Sequence, residues 1–407
     1  MKIWSNRLHT GYHFPSWSLF FLIFIWILAA SIPVNALESA PMNPKFIVYL
    51  NDVLQGSYRP QMTPDGMHLG RIPGLLDITH AERLRHPSGI RGDSLPVQYD
   101  LRTTGIRDQG TCGACWTFAA FGSMESFLMP TEERDFSEQH LNDNHGFDIP
   151  PCQGGFPAMP MAYLTRWDGP IDESDDPYHY GNGAVQKHVQ TVTSIPRTKY
   201  TFYEIKQAVM NYGAVDCALR WEGSTSSSST YYNSTTFAYY YYGSDDTPEN
   251  HEVDIVGWDD SFSRTNFVKT PPGDGAFIVR NSNGASFGDG GYFYLSYYDT
   301  YAGYDCWAFR NAETTFNYSD IYQYDTLGWV NSAGYGTSSA WGANIFTAGN
   351  DASLGAVGFY ASSSTLTYEN QIYTGVTAGN PGSGVWATSQ SGSLSEIGYH
   401  LKPAMLF

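Results

Sequence analysis

The 407-residue chain is long enough for two domains, each with its own core. Its formal net charge of −18 argues against nucleic acid or an anionic membrane as a partner, since both are polyanions that such a surface repels. An aromatic content of 16% and 41 glycines favour a β-rich, turn-rich structure over a helical one.

The first 36 residues have the pattern of a secretory signal peptide. Lys2 and Arg7 supply positive charge, residues 17–30 are an uncharged apolar run, and residues 34–36 (Val-Asn-Ala) fit a small-x-small cleavage site. The alternative, an uncleaved anchor, is disfavoured because the run is short for a membrane span. We therefore predict a secreted or cell-surface protein, whose leader serves only for membrane passage and whose cysteines meet oxidising conditions.

The next segment, residues 37–94, is rich in proline and has one clear apolar run, FIVYL at 46–50. Two interpretations of it remain open, a pro-segment and a disordered linker. The domain assignment adopts the pro-segment.

Residues 95–316 place predicted helices before predicted strands, which is typical of an α+β domain. Apolar side chains at helical spacing predict one helix up to residue 128, and a Thr-x-x-Glu capping box predicts another over 201–213. Strand-like runs follow at 214–219, 252–258, 275–281 and 292–298. Residues 317–407 contain no convincing helix and predict a second, all-β domain.

Five cysteines in an exported chain leave at least one thiol unpaired unless two chains pair. Cys112 and Cys115 form a C-x-x-C, which fits a redox dithiol, half a zinc site, or a structural cysteine beside a nucleophile. Nothing strand-like directly precedes Cys112, which disfavours a thioredoxin-like oxidoreductase. His140 and His145 are off the i, i+4 spacing of one helix face, so we expect no metal and no cofactor.

Cys115 is the candidate nucleophile, because the predicted helix N-terminus favours its thiolate form. His251, just before a predicted strand, is the candidate base, and Asn281 after the next strand is the candidate that orients it. Gln109 can donate its side-chain amide to an oxyanion, together with the backbone N–H of Cys115.

These residues lie in segments that resemble, in the same order, the active-site segments of papain-family cysteine proteases. The resemblance covers about residues 94–310. His251 follows Cys115 by 136 residues, which fits the family, while Asn281 follows by 166, which is somewhat long. The matching segments are SLPVQYDLR (94–102), QGTCGACWTFA (109–119), FSEQHL (136–141), CQGG (152–155), NHEVDIVGWDD (250–260), RNSNG (280–284) and GDGGYF (288–293).

The resemblance implies a two-lobe fold, with a helical lobe and a β-barrel-like lobe, and an endopeptidase that acts on proteins or peptides. It implies that Cys115 attacks the scissile carbonyl and that His251 pairs with it as thiolate–imidazolium. It implies that Asn281 orients His251 and that Gln109 binds the oxyanion.

The resemblance also implies supporting roles. Gly154 and Gly155 lie along the substrate backbone, and Cys112 pairs with Cys152, so that the C-x-x-C is an accident of spacing. The pro-segment, residues 37–94, is expected to occlude the cleft until it is removed.

Three departures from the family pattern favour an alternative function. Asn283 and Phe287 stand where the family usually has tryptophan, and Glu252 replaces a small residue beside the histidine, where its charge is expected to raise the pKa of His251 or misplace its ring. The alternative is a surface adhesin or glycan-binding protein with a degenerate protease domain. Cys217 and Cys306 either pair with each other or stay reduced.

The aromatic and glycine placement in residues 319–348 and 353–363 resembles the lectin-like β-domain of some exported prokaryotic papain-like proteases. This resemblance implies a β-sandwich and a glycan partner. The sequence ends in HLKPAMLF, inside that domain, so either the sequence is a fragment or the domain is reduced. The predicted organisation is a signal peptide (1–36), a pro-segment (37–94), a peptidase domain (95–316) and a lectin-like domain (317–407).

Overall fold

The computed structural model describes residues 37–78, 95–103, 105–177, 183–199, 201–349 and 351–404. The predicted signal peptide lies outside the described residues. Within the described ranges, no helix is both long and apolar enough to cross a membrane.

Every α-helix of the described residues ends by residue 212, before most of the strands begin, as the α+β pattern predicts. The helices are α1 (Pro44–Leu54), α2 (Cys115–Leu128), α3 (Glu138–Asn144), α4 (Ala158–Thr165) and α5 (Tyr203–Tyr212).

Helix α2 is the buried centre of the helical lobe, and it begins at Cys115, as predicted. Trp116, Phe121 and Met124 of α2 pack with Phe136 in one apolar cluster. Burial of this much aromatic and aliphatic surface stabilises the lobe and fixes the position of the first turn of α2.

Helix α5 confirms the predicted helix over 201–213, but the predicted capping box is wrong. The residue before α5 is Phe202, which is buried with a φ of 48°, and no side chain caps the helix. Its ring packs on Phe277 and Tyr297, with ring centroids 4.9 and 5.3 Å away. Aromatic packing therefore decides this helix start over the local Thr-x-x-Glu signal.

The strands form one eleven-stranded sheet, in the order β12-β15-β3-β10-β4-β7-β8-β9-β6-β5 with β2 added beside β7, and two small sheets, β1-β11 and β13-β14. In chain order the strands are β1 (Glu38–Ser39), β2 (Gln98–Asp100), β3 (Lys187–Ile195), β4 (Val215–Leu219), β5 (Tyr232–Asn233), β6 (Ala238–Tyr239), β7 (His251–Asp259), β8 (Ala276–Arg280), β9 (Tyr292–Ser296), β10 (Tyr304–Thr314), β11 (Ala333–Gly334), β12 (Ala356–Ala361), β13 (Leu366–Thr374), β14 (Val385–Leu394) and β15 (Gly398–Pro403).

The pairing of β7 with β8 positions two of the candidate site residues. The strands are antiparallel, and Asp254 pairs with Arg280. His251 begins β7 and Asn281 directly follows the end of β8. Because the start of one antiparallel strand lies beside the end of its neighbour, the two side chains meet at one edge of the sheet.

The C-terminal strands extend the main sheet. Strand β15 pairs with β3, where Gly398 lies opposite Thr193 and His400 opposite Thr191, and β12 pairs with β15. Hairpin β13-β14 forms its own small sheet. The predicted all-β character of the C-terminal region is confirmed, and its strands β12 and β15 are continuous with the main sheet.

Two disulfides cross-link the chain, Cys112–Cys152 and Cys217–Cys306. The second joins the neighbouring strands β4 and β10, so this pair is bonded rather than reduced. Cys115 is the single free thiol, and it is buried. A disulfide-bonded Cys112 does not form a redox dithiol with Cys115.

Candidate active site

The structure brings the candidate base and orienting residue into contact, and it places the candidate nucleophile where α2 packs against β7. His251 Nε2 lies 2.7 Å from Asn281 Oδ1. His251 Nδ1 is buried and has no hydrogen-bond partner among the described residues, so this nitrogen is free for proton transfer. The backbone N–H of Glu252 lies close enough to the Cys115 sulfur to lower the pKa of the thiol, which places the thiol beside the peptide that follows His251.

Burial controls the protonation of both groups. It raises the pKa of the Cys115 thiol, and the nearby Glu252 carboxylate raises it further. Burial lowers the pKa of His251 to about 4, against the opposing effect of its hydrogen bond to Asn281. Near neutral pH the covered site therefore holds a neutral thiol and a neutral imidazole.

The expectation that Glu252 raises the pKa of His251 or misplaces its ring is wrong. Successive side chains of a strand point to opposite faces, so the two side chains leave β7 in different directions. Glu252 Oε1 instead accepts a hydrogen bond from Arg71 Nη1 at 2.8 Å. The His251 ring keeps its bond to Asn281.

Gln109 is fully buried beside the first turn of α2. Its side-chain Nε2 donates to the backbone oxygens of Cys112 at 2.7 Å and His68 at 3.1 Å. Its Oε1 accepts a hydrogen bond from the Ser282 hydroxyl, which fixes the orientation of the amide. One N–H of the Gln109 amide thus already donates to the backbone carbonyl oxygen of His68.

Gly154 and Gly155 form one wall of the cleft. A Cβ on Gly155 would lie 2.4 Å from the Trp116 ring, and Gly154 has a φ of +101° that favours glycine. The Cys112–Cys152 disulfide ties this wall to the loop before α2. The N–H and C=O of Gly155 pair with an extended chain that lies along this wall.

The extended chain that pairs with this wall is part of residues 37–78. The Gly155 N–H donates to Gly70 O at 2.8 Å, and Gly155 O accepts from the Ile72 N–H at 3.0 Å. The Gly70 N–H lies close enough to the Cys115 sulfur to lower the pKa of the thiol. A Cβ on Gly70 would lie 2.3 Å from the backbone of Gly113, so only glycine passes this point.

Sequence reasoning missed the contacts that this segment makes with the site, and it also missed Ser282. Met67 Sδ lies 3.9 Å from Asn281 Nδ2, the His68 carbonyl bonds Gln109, and the Arg71 N–H donates to Asn250 O at 3.0 Å. No motif in these residues signals the contacts, since they depend on where the segment crosses the folded domain.

The two positions where the family usually has tryptophan remain structured. Asn283 forms a backbone bridge with Asp108. Phe287 joins an aromatic cluster, with its ring centroid 5.7 Å from that of Trp221 and 5.8 Å from that of Tyr232.

The two histidines considered for a metal have other partners. His140 Nδ1 lies 2.7 Å from the Tyr163 hydroxyl, and His145 Nδ1 accepts from the Phe147 N–H at 3.0 Å. In the described part of the chain no cluster of three or more side chains could hold a metal ion.

Comparison with known proteins identifies the domain that carries this geometry. The family model for papain family cysteine proteases matches residues 95–313, which is more than half of the chain. The chain belongs to the papain family of cysteine proteases. A second model, for the lectin like domain, matches residues 321–403.

This papain-family chain is similar to a solved structure that shares its architecture, the cysteine protease and lectin-like domains of Cwp84, a surface layer associated protein of Clostridium difficile. The two are 26% identical, the match covers 91% of this chain and 81% of that one, and the TM-score is 0.69. The predicted fold, a papain-like domain followed by a lectin-like domain, is thereby confirmed.

Among curated proteins, this papain-family chain is similar to a cysteine protease of Blomia tropicalis, at 28% identity over 54% of this chain and 68% of the relative. It is also similar to the cysteine proteinase COT44 of Brassica napus, at 29% identity over 56% of this chain and 68% of the relative. The prediction of a cysteine-type peptidase is confirmed, and such a domain acts on protein or peptide substrates.

Proposed function

We propose that the chain is an exported endopeptidase that cleaves peptide bonds with Cys115 as nucleophile and His251 as base. The observation that carries this proposal is the His251–Asn281 hydrogen bond of 2.7 Å, with the free ring nitrogen left for the thiol at the start of α2. The helix N-terminus favours the thiolate once the site is open to substrate.

The proposed reaction is acyl transfer through a thioester. His251 Nδ1 takes the thiol proton, and the Cys115 sulfur attacks the scissile carbonyl carbon. The oxyanion accepts hydrogen bonds from Gln109 Nε2 and the Cys115 N–H. Collapse of this intermediate expels the amine, which takes the proton from His251. Water, deprotonated by His251, then hydrolyses the thioester and restores the thiol.

We also propose that residues 37–94 are a pro-segment that keeps the enzyme latent. Cys115 and His251 are fully buried, and the contacts of Gly70 with Cys115 and Gly155 support this role. The His68 carbonyl occupies the Gln109 donor that the oxyanion needs. A substrate cannot reach the thiol until this segment leaves.

An epoxide or vinyl-sulfone thiol inhibitor tests two proposals together, Cys115 as the nucleophile and the proposed pro-segment as the barrier to its access. We expect it to modify Cys115 in the full chain after proteolytic cutting between residues 78 and 95, and to react far more slowly with the uncut chain. Because the other four cysteines are in disulfides, mass spectrometry of peptides assigns the modified residue directly. Absence of modification in the cut, folded chain would contradict the proposed mechanism.

The oxyanion role of Gln109 predicts a large kinetic defect. Gln109→Ala in the cut chain should lower kcat/KM for a fluorogenic peptide by about 10²- to 10³-fold, as loss of one oxyanion donor does elsewhere. Ser282→Ala is the comparison variant, because it loosens the orientation of the Gln109 amide but keeps the donor, so we expect a smaller defect than for Gln109→Ala. Equal defects in the two variants would contradict the oxyanion role of the Gln109 amide.

Export and glycan binding complete the proposal. The leader pattern of residues 1–36 and the two disulfides support a secreted or cell-surface location. The match to a lectin like domain supports glycan binding by residues 321–403, where the side chains of Trp341 and Trp386 are exposed. Glycan-array binding without peptide cleavage would instead favour the adhesin alternative.

A further inference from the structure

A buried arginine of the proposed pro-segment fills an acidic pocket beside the candidate nucleophile. The Arg71 side chain is only 1% exposed. Its Nη1 lies 2.8 Å from Glu252 Oε1, its Nη2 lies 3.8 Å from Glu249 Oε1, and the same Nη2 contacts the Asp305 carboxylate. One guanidinium thus meets three carboxyl groups, which we call the acidic pocket (Glu249, Glu252 and Asp305).

A fourth carboxyl group lies behind the acidic pocket. Burial and the charges of Glu252 and Asp254 raise the pKa of Asp216 well above its ordinary value. Burial also raises the pKa of Glu252, and the charge of the Arg71 guanidinium opposes that rise. Three carboxyl groups and this fourth neighbour are costly to bury without a cation. The pocket is therefore built for a positive charge.

The remaining walls suit the stem of a long side chain. A cavity of about 260 Å³ adjoins Arg71 and Asp305, and Phe156, Met161 and Trp307 line it. Asn43 to Lys45 and Gly74 to Ile78, all from the proposed pro-segment, close its other side. Departure of that segment would leave an open groove with apolar walls and an acidic end, which matches the amphipathic side chains of arginine and lysine.

The backbone contacts define which residue of a substrate would enter the pocket. Gly70 lies against Cys115, and its neighbour Arg71 forms a backbone bridge with Gly155. On the other side of Gly70, Met67 lies over Asn281, the end of the cleft where the leaving amine would take its proton from the adjacent imidazole. The acyl part of a substrate therefore runs along Gly155, in the direction opposite to the proposed pro-segment, and the residue before the scissile one enters the pocket.

We propose that the acidic pocket selects substrates with arginine or lysine at the second position before the scissile bond. This inference rests on the proposed peptidase function and deepens it. Arg71 occupies the pocket in the latent chain as a substrate side chain would. Glu252 and Asp305 are the specificity-determining residues, because they make the closest contacts with the guanidinium.

A peptide series with one varied position tests this specificity in the cut full chain. The fluorogenic peptides share every residue except the second before the cleaved bond, which is arginine, lysine, citrulline or leucine. Citrulline is the matched control, since it keeps the shape of arginine without the charge. We expect kcat/KM to be at least about tenfold higher for arginine than for citrulline, because hydrogen bonds to a charged group are among the stronger ones.

Asp305→Asn is the matched protein variant. Asp305 has a φ of 45°, which asparagine tolerates, and its Oδ1 accepts a bond from Trp307 Nε1 at 2.8 Å that asparagine can keep. The change replaces the oxygen that faces the guanidinium with an NH₂ donor. We expect it to reduce the arginine-to-citrulline ratio severalfold, and Glu252→Gln to reduce it as well.

The outcomes separate the two proposals. Cleavage that depends on Cys115 but prefers leucine or citrulline would overturn the specificity and leave the peptidase function intact. If no peptide is cleaved, the peptidase proposal fails, and binding of a synthetic peptide of residues 66–76 to the cut Cys115→Ala chain tests the pocket alone. Equal affinity of that peptide with arginine and with citrulline at position 71 would overturn the pocket assignment.

Discussion

Replacement of Cys115 by alanine is expected to lower kcat/KM for peptide hydrolysis by at least about 10⁴-fold, the scale on which loss of a nucleophile acts in hydrolases of this type. The reason is that the chain has one free thiol, and it stands at the start of α2 beside the peptide that follows His251. The measurement is cleavage of a mixed fluorogenic peptide library under mild reductant, with wild type and variant both cut between residues 78 and 95.

Folding of the variant is the necessary control. The Cys115 side chain makes no disulfide, and alanine fits its space, so both disulfides and the thermal unfolding midpoint should stay close to wild type. Retained cleavage in a folded Cys115→Ala chain would assign the chemistry to another group. Inactivity of both proteins would indicate that the departures from the family pattern at Asn283 and Phe287 abolish catalysis, and it would favour a binding function.

The active-site constellation could be predicted from sequence because it depends on short segments at ordered spacings. Gln109 and Cys115 share one loop and helix start, and His251 and Asn281 sit at strand ends. Antiparallel pairing of two neighbouring strands was enough to bring the last two together. Whether these residues act as proposed stays a prediction that the experiments above test.

The path of the proposed pro-segment could not be predicted, because it depends on contacts between distant parts of the chain. Gly70 is one of 41 glycines, and only its approach to Gly113 shows why a side chain is excluded. Glu252 looked like a perturbation of His251 because the two are adjacent in sequence. The alternation of β7 and the arrival of Arg71 from 181 residues away give it a different partner.

Local signals also failed where tertiary packing opposed them. The capping box before α5 was a sound local pattern, yet the buried ring of Phe202 sets a left-handed backbone at that position instead. The pairing of β15 with β3 could not be predicted either, because a strand's residue pattern does not show which distant strand it will pair with. Both cases show packing energy overriding a weaker local preference.

Arg71→Leu in the uncut chain is expected to release latency. Removing one partner of a buried ion pair leaves Glu252 and Asp305 uncompensated, which costs several kcal/mol and weakens the hold of the proposed pro-segment on the cleft. We expect the rate of Cys115 modification by an epoxide inhibitor, and the basal cleavage rate, to rise about 10- to 100-fold in the uncut variant, since about 1.4 kcal/mol shifts an equilibrium tenfold.

Arg59→Leu is the matched control, since Arg59 lies in the same segment, is exposed, and bonds only to the nearby carbonyls of Gly56 and Tyr58. It removes the same charge and should leave latency unchanged.

A pair of glycine variants, Gly70→Ala and Gly74→Ala, repeats the comparison without a change of charge. A methyl group at Gly70 would meet the Gly113 backbone at 2.3 Å, whereas at Gly74 the nearest atom is 3.8 Å away. Unchanged latency in both Arg71→Leu and Gly70→Ala would mean that these cleft contacts do not hold the segment in place. The position of Arg71 in the acidic pocket would then no longer support a preference for cationic substrates.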